Sequence, residues 1–308
     1  MSKTLGIIAP SGFLPDPLVI DRAAAFFAAQ GWRVVAAESV FARDQRFAGN
    51  DSLRLQDLQS FATDAGLGVV LCARGGYGLS RLLGGIDFAA INARRPLMVG
   101  YSDFSAFNLA YLARGGVSFA GPSAGDFGAA EPNAFTAQHF FGVLAEKEYA
   151  VEFNLQGPRA DVSGRLWGGN LAMVVALLGT PYFPRVRGGV LFLEDVNEPA
   201  YKIERMFYQL AHAGVLQSQV AIVLGDFSPI TPMPNDNGFD LAAVIDRLRK
   251  LTEAPVFTGL PFGHCARKLT LPVGGWARLV VKRSGDAQLE LSRYPNMMQA
   301  RRSPRPRL

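Results

Sequence analysis

Leu97-Met98-Val99-Gly100-Tyr101-Ser102-Asp103-Phe104-Ser105-Ala106-Phe107 passes from an apolar run through a glycine into a helix-spaced aromatic pattern. Phe104, Phe107 and Tyr111 recur at the spacing of one helical face until Gly115 and Gly116 stop them. Strand, tight turn and helix follow one another directly. The same order recurs upstream. Leu5–Pro10 is strand-like, a helix runs from about Leu18 to Gln30, and Trp32–Ala37 is a second strand. A helix near Ser52–Ala65 follows, then the strand Gly68–Ala73 and the glycine-rich turn Arg74–Gly78 (RGGYG). Repeated strand-turn-helix units predict a mainly parallel sheet with helices on both faces, because a parallel partner is reached only through a crossover.

The pattern changes between about Gly128 and Arg159, which reads as one or two helices and a loop without strong strands. Beyond it, Val162–Asn170, Gly189–Val196, Ala221–Phe227, Ala277–Arg283 and Ala287–Ser292 are strand-like, with helices at Asn170–Leu178, Ala200–Ala213 and Leu241–Thr252. The expected organisation is an amino-terminal parallel α/β domain over residues 1–140, a linker over 141–160, and a smaller carboxyl-terminal domain over 161–296. That second domain is mixed α/β with more antiparallel character. Residues 297–308 form a basic tail.

The length of 308 residues supports two domains, since a single core stops growing at roughly 250–300 residues. Hydrophobic residues make up 49% and charged residues 19% of the chain, the balance of a globular enzyme. The net charge of +5 points weakly to an anionic partner, but Arg301, Arg302, Arg305 and Arg307 lie in the last eight residues, and removing those four leaves +1. The tail reads as a solvated, disordered end, and neither nucleic-acid nor membrane binding is expected. Two cysteines, Cys72 and Cys265, imply no disulfide framework. The opening MSKTLGIIAPSG lacks the apolar stretch of a signal peptide, and no run approaches the ~18 apolar residues of a membrane span, so a soluble, cytoplasmic protein is expected.

Ser102, directly after a strand and directly before a helix, stands where a nucleophile elbow places its serine. The amide of Asp103 falls in the first helical turn, where unpaired donors favour an oxyanion. The motif is only G-x-S-x-x, and it reads equally as a helix cap. The turn Arg74–Gly78 could bring backbone amides to the same sheet edge or simply need positive φ. Of three histidines, His139 and His212 lie in helices and read as structural, whereas His264 lies in the loop-like Leu260–Pro272. Glu194 ends a continuously apolar run and suits an orienter for an imidazole, with Asp195 as the fallback and a strand-end ion pair as the bland alternative. No spacing of ligands supports a metal site, and no cofactor is expected.

Ile8–Gly12 (IAPSG), Arg46–Asp51 (RFAGND), RGGYG, Gly100–Ala106 (GYSDFSA), Leu166–Tyr182, Leu191–Met206, Gly214–Phe227 and Gly259–Gly274 together resemble the murein L,D-carboxypeptidases. That family of serine peptidases also includes the microcin C immunity peptidases, and the ordered match runs from about Ile7 to Gly275. The resemblance implies Ser102 as nucleophile, His264 as base and Glu194 as its orienter. It further implies a flavodoxin-like or glutaminase-like first domain, a site at the domain interface, and a homodimer. The implied substrate is the murein tetrapeptide L-Ala-γ-D-Glu-meso-diaminopimelate-D-Ala, cut before the terminal D-Ala during cell-wall recycling. Oxyanion donors are expected at Asp103 and Gly76, and substrate contacts at Arg74, Gly75, Tyr101 and Trp167. The nearer alternative that the resemblance leaves open is a microcin C-type immunity peptidase using the same three residues; the competing class is a non-hydrolytic module in which RGGYG and the helix after Ser102 cradle a nucleotide phosphate or other anion, which leaves Glu194 and His264 without a task.

Overall fold

A computed structural model describes residues 3–230 and 232–298. The first sheet contains β1 (Thr4–Ile8), β2 (Arg33–Ala36), β3 (Val69–Cys72), β4 (Leu97–Val99) and β5 (Ser118–Ala120), all parallel, in the order β2-β1-β3-β4-β5. Its crossovers are α1 (Leu18–Ala29), α2 (Asp51–Thr63), α3 (Phe88–Arg94) and α4 (Ser105–Leu112). Every residue of β1, β3 and β4 is buried, as strands covered on both faces must be. α2 starts where the Asn50 side chain accepts the Leu53 amide. The strand order reverses between β1 and β3. Such a switch point opens a crevice at the carboxyl ends of the strands, where Ser11, Arg74–Gly78 and Ser102 all lie.

After α5 (Ala124–Phe127) and α6 (Ala134–Ala145), the second sheet begins with β6 (Tyr149–Asn154) and the long β7 (Ala160–Asn170). It continues, past α7 (Leu171–Ala176), with β8 (Gly189–Glu194); past α8 (Ala200–His212), with β9 (Gln219–Leu224); and past α9 (Leu241–Leu251), with β10 (Val256–Thr258). The chain then forms β11 (Leu271–Val273), β12 (Trp276–Val281) and β13 (Asp286–Ser292). The sheet order is β10-β9-β8-β7-β12-β13-β6. β7 is the pivot: Ala160–Arg165 runs antiparallel to β12, and Leu166–Asn170 runs parallel to β8.

Two features depart from the expected organisation. The span 141–160 is not a bare linker, because it holds the end of α6 and β6, which pairs with β13 from Tyr149↔Leu291 to Asn154↔Asp286. The first sheet also takes a strand from the second half of the chain: β11 pairs antiparallel with β5 through Leu271↔Ala120 and Val273↔Ser118. Pro272 lacks an N–H, which suits an edge position.

All eight residues of α4 are buried, since it packs against β5 on one side and against β7 and α7 on the other. Buried His139 joins α6 to β6 through a 2.7 Å contact between its Nδ1 and the Tyr149 hydroxyl, and burial lowers its pKa. The arginines of the basic tail lie outside the described residues. Among the described residues, no helix is long and apolar enough to cross a membrane.

Candidate active site

Ser102 sits at φ +61°, in the left-handed region that a residue with a Cβ rarely enters. The bend begins at Gly100, where a Cβ would lie 2.7 Å from both Cys72 Cβ and the Phe104 ring. The Asn108 amide donates to the Gly100 carbonyl at 3.2 Å and braces the turn from inside α4. A strained residue held this way, between a buried strand and a helix, is the elbow geometry anticipated from the spacing.

Two residues from the other half of the chain converge on it. His264 Nε2 is 3.2 Å from Ser102 Oγ, and His264 Nδ1 is 2.8 Å from Glu194 Oε2. Glu194 ends β8 and is fully buried. The close approach depends on glycines: at Gly225 a Cβ would lie 2.2 Å from the Phe262 carbonyl oxygen, and Gly263, at φ +133°, lies against Asp226 and Glu194.

Asp195, the alternative orienter, is turned the other way. It accepts hydrogen bonds from Asn170 Nδ2, Val196 N and Ala172 N at 3.0, 2.9 and 2.9 Å, tying β8 to the start of α7. Burial pushes its carboxyl up to about 6.

The turn Arg74–Gly78 lies over the serine. A Cβ on Gly75 would fall 2.5 Å from Ser102 Cβ and 2.6 Å from its Oγ, so glycine is required there by contact. The Gly75 carbonyl accepts from Gly12 N at 3.2 Å, which directs the Gly76 N–H of the same trans peptide the opposite way. Among the described residues, the amides of Gly76 and Asp103 find no acceptor.

The Asp103 carboxylate is buried beneath, accepting from Ser11 Oγ at 2.6 Å and Leu79 N at 2.9 Å, and so binds three loops together. Burial raises its pKa, and these hydrogen bonds oppose the rise. Half-buried Arg74 donates from one guanidinium nitrogen to the Phe13 carbonyl at 2.8 Å. The Tyr101 ring lies 5.0 Å from the His264 ring.

One expected contact is corrected. Trp167 has no exposed surface: it points into the core, donates to Gln219 Oε1 at 2.8 Å and meets the edge of Phe183, so it has no face for a substrate. The use of its motif lies in the residues that follow. A Cβ on Gly169 would sit 2.5 Å from Ser105 Oγ, and Asn170 N donates to that hydroxyl at 3.0 Å. Sequence reasoning passed over Ser11, Ser105 and Lys268, whose side-chain partners are remote along the chain, and Asp126, which caps α5 locally through Ser123 but meets Lys268 from the other half.

Residues 5–121 match the LD-carboxypeptidase N-terminal domain and residues 163–279 match the LD-carboxypeptidase C-terminal domain. Fold and family models together define a two-domain α/β peptidase. The chain belongs to the LD-carboxypeptidase family. A crystal structure of muramoyltetrapeptide carboxypeptidase from Oxalobacter formigenes is similar with a TM-score of 0.90 and 42% identity, over 95% of this chain and 100% of that one. A probable murein peptide carboxypeptidase of Bacillus subtilis is 32% identical over 90% of this chain and 88% of its own length. The murein tetrapeptide carboxypeptidase of Pseudomonas aeruginosa is 32% identical over 78% and 81%. The protein MccF, in a complex with glutamyl sulfamoyl guanosine, shares the fold at a TM-score of 0.86 and 22% identity, over 95% of this chain and 97% of its own.

Proposed function

We propose that this peptidase is a serine L,D-carboxypeptidase that releases the terminal D-Ala of murein tetrapeptide, at the bond from the L-centre of meso-diaminopimelate. The observation that carries the reading is the continuous hydrogen-bonded line from Ser102 Oγ through His264 to Glu194, at 3.2 and 2.8 Å. With Nδ1–H donated to Glu194, Nε2 is free to take the Ser102 proton as Oγ attacks the carbonyl carbon. The negative oxygen that forms is held by the amides of Asp103 and Gly76. His264 then gives its proton to the departing D-Ala nitrogen as the C–N bond breaks, leaving an ester on Ser102. Water, deprotonated by His264, cleaves that ester and restores the hydroxyl. Arg74, with guanidinium donors to spare, binds the terminal carboxylate, while Gly75 and Tyr101 line the approach.

The reading extends to a cytoplasmic role in recycling wall peptides, which suits two free thiols, and to a homodimer.

Mass spectrometry of a defined L,D-tetrapeptide incubated with the protein tests the reading. A tripeptide product is expected, and Ser102→Ala should lower turnover by roughly three orders of magnitude or more with the fold intact. An active Ser102→Ala protein would remove that residue from the chemistry. Glu194→Gln should cause a smaller loss, as the imidazolium forfeits its counter-charge. An acyl-sulfamoyl nucleoside offered in parallel separates this activity from the microcin-type one.

A further inference from the structure

Lys268 is only 2% exposed, although an ammonium is among the costliest groups to bury and a Met would fill the space more cheaply. Its Nζ forms an ion pair with Asp126, stands 3.5 Å from the Tyr101 hydroxyl, and lies 4.5 Å from the centre of the Tyr101 ring. The same ring also meets His264, with the two ring centres 5.0 Å apart. Asp126 is itself fixed at the start of α5, where its Oδ2 accepts from Ser123 N at 2.8 Å and Ser123 Oγ at 3.0 Å.

Lys268 follows His264 by four residues in a loop that belongs to neither sheet. That loop is tied to the first half of the molecule a second time: Thr136 Oγ1 donates to the Ala266 carbonyl at 2.8 Å and accepts from Lys268 N at 3.0 Å. Glu194 and Asp226 hold its other end, since Asp226 N donates to the Phe262 carbonyl at 2.8 Å. The loop therefore spans the two halves with His264 at its middle.

We propose that Lys268 and Asp126 are a positioning pair for His264: their buried ion pair docks the histidine loop on the first domain, and their opposite charges cancel beside the imidazole. This rests on His264 acting as the base. Of the charged and titratable groups around the imidazole, Glu194 from β8 and Tyr101 from the turn after β4 meet it directly, Asp226 after β9 lies against the adjacent Gly263, Cys265 is the next residue of its own loop, and this pair stands at Tyr101. Removing one member of the pair changes both the docking and the field, whereas removing both restores the field alone.

The test uses the full chain and a defined L,D-tetrapeptide, with kcat and KM followed across pH for Lys268→Met, Asp126→Asn, the double variant and Ser102→Ala. Lys268→Met should lower kcat about 10- to 100-fold, the scale of an ångström's misplacement of a catalytic group, with KM changed less than about threefold. It leaves the Asp126 charge unbalanced, so the acidic limb of kcat/KM should move to higher pH. Asp126→Asn should move it to lower pH, and the double variant should return it to its original position.

Limbs that stay in place, or that move the same way in both single variants, would overturn the proposal. If Lys268→Met does not fold, Asp126→Asn alone decides by the direction of its limb. A silent Ser102→Ala with unmoved limbs defeats the positioning role and leaves the peptidase reading intact; an active Ser102→Ala defeats the reading itself.

Discussion

Ser102 holds a conformation that its own side chain opposes, at φ +61°. Such strain costs of order 1–3 kcal/mol and persists only where the surroundings hold it. Ser102→Gly should therefore raise stability by about 1 kcal/mol while abolishing turnover, an opposition of stability and activity readable by denaturant titration beside an activity assay. Loss of stability in that variant would show that the backbone is not strained. Gly75→Ala tests the contact from the other side. Its new methyl would arrive 2.6 Å from Ser102 Oγ, so either the turn or the serine must move. A fall in kcat of about 100-fold or more is expected, since small misplacements at a reacting centre are costly. Unchanged kinetics would mean that the Arg74–Gly78 turn is free to retreat. The motif around Ser102 was legible because strand, glycine and helix are consecutive in the chain. The role of Gly75 was not, because its neighbour is spatial.

At the scale of elements, β8 and α7 are coupled through Asp195. Burial lifts this carboxyl from 3.8 to about 6, so the folded protein holds the proton more tightly than the unfolded chain does. The stability this contributes, up to about 3 kcal/mol, is fully present below about pH 4 and lost as pH rises through about 6. Asp195→Asn cannot titrate, so the stability of the original protein relative to the variant should fall across that window, as thermal melts at pH 4 and pH 7 would reveal. Parallel curves would exclude the linkage. The long elements followed their periodicity: α1, α2, α8 and α9 begin and end within two residues of the expected bounds. β6 was missed although Tyr149, Val151 and Phe153 alternate with polar or small residues, a two-residue period that marks a half-buried edge strand. β11 is three residues long and contains a proline, and no local pattern marks such a strand.

For the whole molecule, β11 and α4 make the two halves one structure. β11 completes the first sheet from the second half, and α4 is buried all round because the second sheet covers its outer face. A fragment of residues 1–140 should leave the β5 edge open and the apolar face of α4 in water, giving an aggregating or dye-binding product. The intact chain should melt in one calorimetric transition; a folded, monomeric fragment or two resolved transitions would refute the coupling. What the sequence alone determined was the alternation of strands and helices, the chemistry of Ser102, His264 and Glu194 as candidates, and the family, since periodicity, turn residues and motifs act between near neighbours. The meeting of a hydroxyl and an imidazole 162 positions apart was decided only by the tertiary structure, as were the loss of Trp167 to the core and the burial of Lys268 on Asp126. Each depends on which surfaces are removed from water together, and that is a property of packed layers rather than of any segment.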